Sequence, residues 1–281
     1  KQVSFIFRTP INNKLNNSNP SFISKGSLEE ACLNLNGTEI NDIRLDFKLN
    51  NSLFTGDIKE ADLFGSSLEG TIKTLKRNNK SIIEVKGDSE GPLTSLLQLS
   101  NLDEIFTAKN KSSGKHNTNF NFISPLSSSI KLLGEQSNLK FSTKIKDGNL
   151  TNKDINLNLT DFYSSIEYDS ITGVKDSSAS LRINQVPVQF DIQKKEAGGE
   201  LFTSLTTKNI FPARSISTFL GFKKEISGSS LFNIEISLAS FIRDKSITEP
   251  EIKIFSDLQG LSIDLPEPLN KNKESKINFD L

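Results

Sequence analysis

Short runs in which apolar and polar residues alternate recur along the chain. Residues 43–49 alternate strictly, and a strand with its period of two places the apolar side chains of such a run on one face. Similar runs lie at residues 139–146, 155–160, 186–193 and 230–240. Their apolar phases are the predicted lining of one sheet face: Ile43, Leu45, Phe47, Leu49, Leu139, Phe141, Ile145, Ile155, Leu157, Leu159, Val186, Val188, Phe190, Ile192, Ile234, Ile236 and Leu238.

Two segments break the alternation. Residues 93–99 follow Gly91-Pro92 and carry apolar residues three and four apart, which predicts a short amphipathic helix. Residues 212–220 predict a second short helix, stopped by Gly221. No strand–helix–strand rhythm recurs. The pattern therefore predicts a mainly β fold, a long antiparallel meander curled into an open groove, with one or two short helices.

The apolar strand faces are compatible with two architectures. In one, they pack against each other as the core of a sandwich or solenoid, which would be a non-catalytic binding or structural domain. In the other, the sheet forms a trough whose lining contacts acyl chains. The chain has 20 Phe against 2 Tyr and no Trp, and Phe favours a dry environment because it has no polar group. Alternation alone does not separate the two, since both need one apolar and one wet face.

Composition and motifs argue against several functions. Lys plus Arg equals Asp plus Glu at 34 each, so the chain lacks the positive charge typical of nucleic-acid binding. Cys32 is the single cysteine and is predicted to be a small buried residue, and His116 is the single histidine, in the polar segment 101–119 that predicts a solvated loop. Phosphate-binding, nucleophile-elbow and metal-ligand motifs are absent from the sequence. We expect no enzyme activity, no cofactor and no bound metal.

In the segment 255–271 the particular residues, and not only their apolar and polar pattern, are distinctive. It reads FSDLQGLSIDLPEPLNK, in which Gly260 allows a tight bend and the two prolines stop a strand. This segment resembles a signature of the YhdP family of AsmA-like proteins, and weaker agreement extends over residues 87–281. Residues 1–86 agree only in strand pattern. The matched signature positions are Ser256, Asp257, Leu258, Gly260, Leu265, Pro266, Pro268, Leu269 and Lys271.

The resemblance implies a bridge-like protein that carries phospholipid between the inner and outer membranes of a Gram-negative bacterium. It implies a periplasmic location, an inner-membrane anchor outside this chain, and phospholipid acyl chains as partners. Residues 87–281 would be a family groove segment ending in the signature, and residues 1–86 a further strand segment of the groove. The chain starts without Met and ends within an alternating run, so we expect a fragment of a longer protein.

Overall fold

The structure is a computed structural model. It describes residues 2–8, 21–35, 38–51, 53–77, 80–99, 111–126, 137–153, 156–197, 200–220, 226–239, 251–268 and 270–280. Most of these residues lie in strands. In chain order the elements are β1 Gln2–Arg8, β2 Ser21–Leu35, β3 Thr38–Asn50, β4 Leu53–Leu63, β5 Ser66–Arg77, β6 Lys80–Pro92, α1 Leu93–Leu99, β7 Lys111–Pro125, β8 Asn138–Asn152, β9 Leu157–Asp169, β10 Gly173–Val174, β11 Ser177–Ile183, β12 Val186–Ala197, β13 Glu200–Pro212, α2 Ala213–Leu220, β14 Ile226–Ala239, β15 Glu251–Ser256, β16 Leu261–Ile263 and β17 Phe279–Asp280.

The described strands pair antiparallel, mostly with their neighbours in sequence. β1 to β6 pair in chain order, and so do β11 to β15, with β9 pairing on the other side of β11. The predicted fold class is confirmed: the chain is mainly β, an open antiparallel meander with two short helices. Both predicted helices are found, at Leu93–Leu99 and Ala213–Leu220.

The chain divides into two compact units. Unit 1 contains Lys1–Gly91, Asn117–Phe141 and Ile242–Asp244, and unit 2 contains Pro92–His116, Ser142–Phe241 and Lys245–Leu281. The sequence-based division at residue 86 rests on family resemblance and stays a prediction. The sequence also predicts a strand at residues 127–133, which lie outside the residues that the structure describes.

Residues with left-handed backbone interrupt the alternation of several strands. In β8, Asp147 has φ 52°, and in β9, Asp161 has φ 54°, beside a register shift between β9 and β11. Because an extra residue reverses the phase of a strand, Ile145 and Leu150 lie in one apolar cluster although they are five residues apart. Strict alternation would have placed these two side chains on opposite faces.

Two predictions for single residues were wrong. His116 lies in strand β7 and not in a loop, and its side chain is buried beside Ser95 of α1. The buried phase of β7 carries the polar residues His116, Thr118 and Ser124, so the strand shows little apolar alternation and its composition resembles that of a loop. Cys32 is exposed, and its thiol donates a hydrogen bond to Asn41 Oδ1 at 3.1 Å.

Candidate functional site

Unit 2 carries a continuous apolar row across four strands. Ile192 of β12 lies opposite Leu205 of β13, Leu205 lies opposite Ile236 of β14, and Ile236 lies opposite Ile252 of β15. Directly opposed residues of an antiparallel sheet project from the same face. The predicted lining residues of β12 and β14 therefore share one face, although β13 separates them.

The same face continues to β9. Ile183 of β11 lies opposite Leu159 on one side and Val186 on the other. A second row thus joins the predicted lining of β9 to that of β12. Leu157, two residues before Leu159, has the same strand phase and is half-buried. Ile155, the remaining predicted lining residue of this run, lies outside the described residues.

Burial of this face varies across unit 2. Val186, Val188, Phe190 and Ile192 are all buried, and Ile192 is 2 % exposed. The predicted lining residues of β14 are only half-buried, and Ile252 of β15 is 53 % exposed. The short strand β10, which contains the buried Val174, lies close to the end of β12: a Cβ added to Gly173 would be 3.2 Å from Lys194 Cδ. The face is thus covered at β12 and accessible at β14 and β15.

Unit 1 carries a similar face. Leu45, Phe47 and Leu49 of β3 lie opposite Ile58, Gly56 and Phe54 of β4, respectively. The Phe47 and Phe54 rings stack with their centroids 5.8 Å apart, and the Phe47 ring also lies over Gly26, where a Cβ would be 2.7 Å from Phe47 Cζ. All the predicted lining residues here are half-buried: Ile43, Leu45, Phe47, Leu49, Leu139 and Phe141.

Sequence reasoning missed several members of the face. Leu205, Ile252 and Ile254 belong to it through pairing with predicted lining residues. In β13, Leu205 shares its face with Thr203 and Thr207, so that face has little apolar character in the sequence. Because threonine is common in strands, counting it as a strand residue would have revealed the strand phase of Leu205.

The opposite face of each unit carries charged side chains in pairs. In unit 1, Glu84 is buried and its carboxylate lies 2.8 Å from Lys73 Nζ and 2.9 Å from Lys86 Nζ. The hydrogen bond from Lys73, with that from Lys86, holds the pKa of Glu84 below its ordinary value, against the effect of burial. In unit 2, Lys195 lowers the pKa of Glu235 in the same way. The paired lysines thus favour the ionised form of both carboxylates.

We expect replacement of Glu84 by Gln to destabilise the protein by about 1–2 kcal/mol at neutral pH, because two charge-assisted hydrogen bonds weaken. A lowered pKa in the folded state means that this contribution is present above the unfolded pKa of about 4.3 and is lost as pH falls through the folded value. Urea unfolding at pH 7 and at steps down to pH 3 measures it, and the difference between wild type and Glu84→Gln should shrink as the pH falls below the unfolded pKa.

The matched control is Glu60→Gln in the same unit. Glu60 pairs with Arg44 at 3.2 Å, and both side chains are more than half exposed. An exposed pair contributes at most about 1 kcal/mol. Equal losses for the two variants at pH 7 would contradict the role given to the buried Glu84.

The signature residues form a compact turn in unit 2. Ser256 is buried, and its hydroxyl donates to the Leu231 carbonyl at 2.8 Å and accepts from the Leu258 N–H at 3.0 Å. Leu258 has φ 50° and Gly260 has φ 93°, so the predicted glycine bend is present. The Gln259 N–H, with Lys276, holds the pKa of Asp257 below its ordinary value.

Lys271 completes this turn. It is 5 % exposed, and its Nζ donates to the Leu261 carbonyl at 2.9 Å and to the Asn272 carbonyl at 3.0 Å. Its backbone pairs with Ile263 at the end of β16. Leu265 is half-buried, Pro266 and Pro268 are exposed, and Leu269 lies outside the described residues. The contacts of the described signature residues are structural, since they fix the chain path beside β14.

These features define a class of protein: an open antiparallel β-meander with one apolar and one charged face. A family model described as YhdP protein matches residues 1–281, and the chain belongs to the YhdP family. The match includes residues 1–86, for which the sequence offered only a strand pattern. Neither a curated protein nor a solved structure matches the chain significantly.

Family membership and the open sheet fit a bridge-like lipid transport protein. The family is a lipid transport family of membrane-associated bridge proteins and not a known enzyme family. Neither of the two helices in the described part of the chain is long and apolar enough to span a membrane.

Proposed function

We propose that this chain is a segment of a periplasmic bridge that moves phospholipid between the inner and outer membranes of a Gram-negative bacterium. Acyl chains lie on the apolar face, and headgroups remain in water. Parts of the protein outside this chain connect it to the membranes, including an inner-membrane anchor. The observation that carries the proposal is the row Ile192–Leu205–Ile236–Ile252, which stays apolar across four strands and ends on an accessible side chain.

The dimensions of this row suit an acyl chain. Four strands at a spacing of roughly 4.8 Å cover about 14 Å, most of the length of a membrane acyl chain. Each buried methylene contributes about 0.8 kcal/mol, so an acyl chain on this face avoids most of the cost of exposure to water. Transport along it is passive, and no step requires a catalytic residue or a cofactor.

A non-catalytic binding or structural domain is the second candidate. The burial of Val188, Phe190 and Ile192 favours it, because buried side chains are what a closed core contains. A sandwich core requires a second sheet about 10 Å from the first, which would cover the whole face. The exposure of Ile252 and the half-burial of Ile236 therefore favour the transport proposal.

Photo-crosslinking in cells that express the whole protein tests the proposal. A photoreactive amino acid is placed at Ile236 or at its neighbour Ser237, and, in unit 1, at Phe47 or at its neighbour Lys48. Successive strand residues face opposite sides, so each pair compares the apolar face with the charged face. We expect phospholipid adducts at Ile236 and Phe47 at several times the level found at Ser237 and Lys48. Equal labelling within both pairs would reject the proposal.

A further inference from the structure

Helix α1 covers part of the apolar face of unit 2. Leu93 is 2 % exposed and packs with the buried Ile145 and Leu150. The half-buried Leu159 and Phe162 complete this contact, together with Leu96 and Leu97 of the helix. We call Ile145, Leu150, Leu159 and Phe162 the α1-binding surface. Two of its members, Ile145 and Leu159, are predicted lining residues of the transport face.

Glycines shape this surface so that Leu93 can approach closely. A Cβ on Gly148 would lie 2.9 Å from Phe162 Cβ and 3.2 Å from Leu93 Cδ2. Gly114 has φ 115°, and a Cβ there would lie 2.6 Å from Gly148 Cα. Next to these glycines, the Ser95 hydroxyl donates to the Pro92 carbonyl at 2.6 Å and lies 2.9 Å from His116 Nε2. The position of α1 is therefore specified by both packing and polar contacts.

The bound helix lies at the end of an apolar row of the sheet. The row Val186–Ile183–Leu159 leads directly to the α1-binding surface. Leu93, Leu96 and Leu97 pack on that surface, whereas Gln98 of the helix is exposed. An acyl chain that follows this row meets α1, and it can occupy the α1-binding surface only when the helix is elsewhere.

The helix has seven residues, fewer than the roughly 12 that an isolated helix needs to be even marginally stable in water. Its conformation therefore depends on the leucine contacts with the sheet. An acyl chain offers the same surface the same kind of apolar contact, and the gain per area is similar. The α1-binding surface is therefore shielded from water whether the helix or an acyl chain covers it.

We propose that α1 is a displaceable cover of the lipid path, which phospholipid acyl chains replace on the α1-binding surface during transport. This inference rests on the proposed transport function. It assigns α1 two states, bound to the sheet without lipid and released with lipid.

Hydrogen exchange followed by mass spectrometry tests the proposal on the full-length protein. The probe is a short-chain phospholipid added below its micelle concentration. We expect backbone exchange within Leu93–Leu99 to accelerate several-fold with lipid, while exchange within α2, Ala213–Leu220, stays unchanged. Unchanged or slower exchange in α1 with lipid would overturn the proposal. If Ile236 still crosslinks to phospholipid in that case, the transport function stands and only the role of α1 is wrong.

A variant provides a second measurement. Leu93→Ala removes the most deeply packed contact, so exchange in α1 without lipid should rise about tenfold or more. The control Gln98→Ala changes an exposed residue of the same helix and should leave exchange unchanged. The proposal also requires that Leu93→Ala lowers the phospholipid concentration at which half of α1 is released. An unchanged or higher half-release concentration in a folded Leu93→Ala protein would overturn it.

Discussion

Replacing Leu205 by Lys is expected to reduce phospholipid transport by roughly two orders of magnitude without unfolding the protein. Leu205 lies at the centre of the apolar row, between Ile192 and Ile236. An ammonium group there deprives an acyl chain of apolar contact over about one strand spacing of 4.8 Å, or roughly four methylenes. At about 0.8 kcal/mol each, the barrier rises by about 3 kcal/mol, which is about a hundredfold in rate. Transfer of newly made phospholipid to the outer membrane is the measurement.

The control substitution is Thr206→Lys, one residue along the same strand. Thr206 faces the charged side of the sheet, opposite Asp191 on one neighbouring strand and Glu235 on the other. A lysine is favourable between two carboxylates, so this variant should transport phospholipid at the wild-type rate. Circular dichroism verifies that both variants fold. Wild-type transport by a folded Leu205→Lys protein would exclude this row as the acyl path.

Gly260→Ala is expected to destabilise the protein by about 3 kcal/mol or more. Gly260 has φ 93°, a backbone conformation that costs an ordinary residue about 1–2 kcal/mol. A Cβ would also lie 2.3 Å from the Ser229 carbonyl oxygen, and the Ser229 N–H donates to the Gly260 carbonyl at 3.2 Å. Since the obstructing atom is backbone, the strand must shift, and the hydrogen bond, worth about 1 kcal/mol, is lost. Urea unfolding followed by circular dichroism measures the loss.

Gly173→Ala in the same unit separates the steric effect from the conformational one. Gly173 has a similar φ of 82°, but the atom nearest to an added methyl group would be Lys194 Cδ at 3.2 Å, in a flexible side chain. We expect a loss of about 1–2 kcal/mol, from the backbone conformation alone. If the two alanine variants lost equal stability, the steric contact with the Ser229 carbonyl would contribute nothing to the effect of Gly260→Ala.

The sequence by itself determined the class of elements and the residues that each strand presents to one side. Alternation at residues 43–49 and 186–193 is a local property, because successive strand residues point to opposite faces whatever the strand pairs with. The helix at Leu93–Leu99 followed from its leucine spacing, and the bend at Gly260 from the one residue type that tolerates its φ.

Only the tertiary structure decided which of these faces belong together. Whether Ile192 and Ile236 share a side depends on the pairing of both strands with β13, and the phase of β8 and β9 depends on extra residues at Asp147 and Asp161. Alternation within one strand identifies its apolar face but not the residues with which it pairs, and a slip of one residue would move that face to the other side of the sheet. The burial of His116 and the placement of α1 over Ile145 have the same origin, because they are contacts between distant segments of the chain.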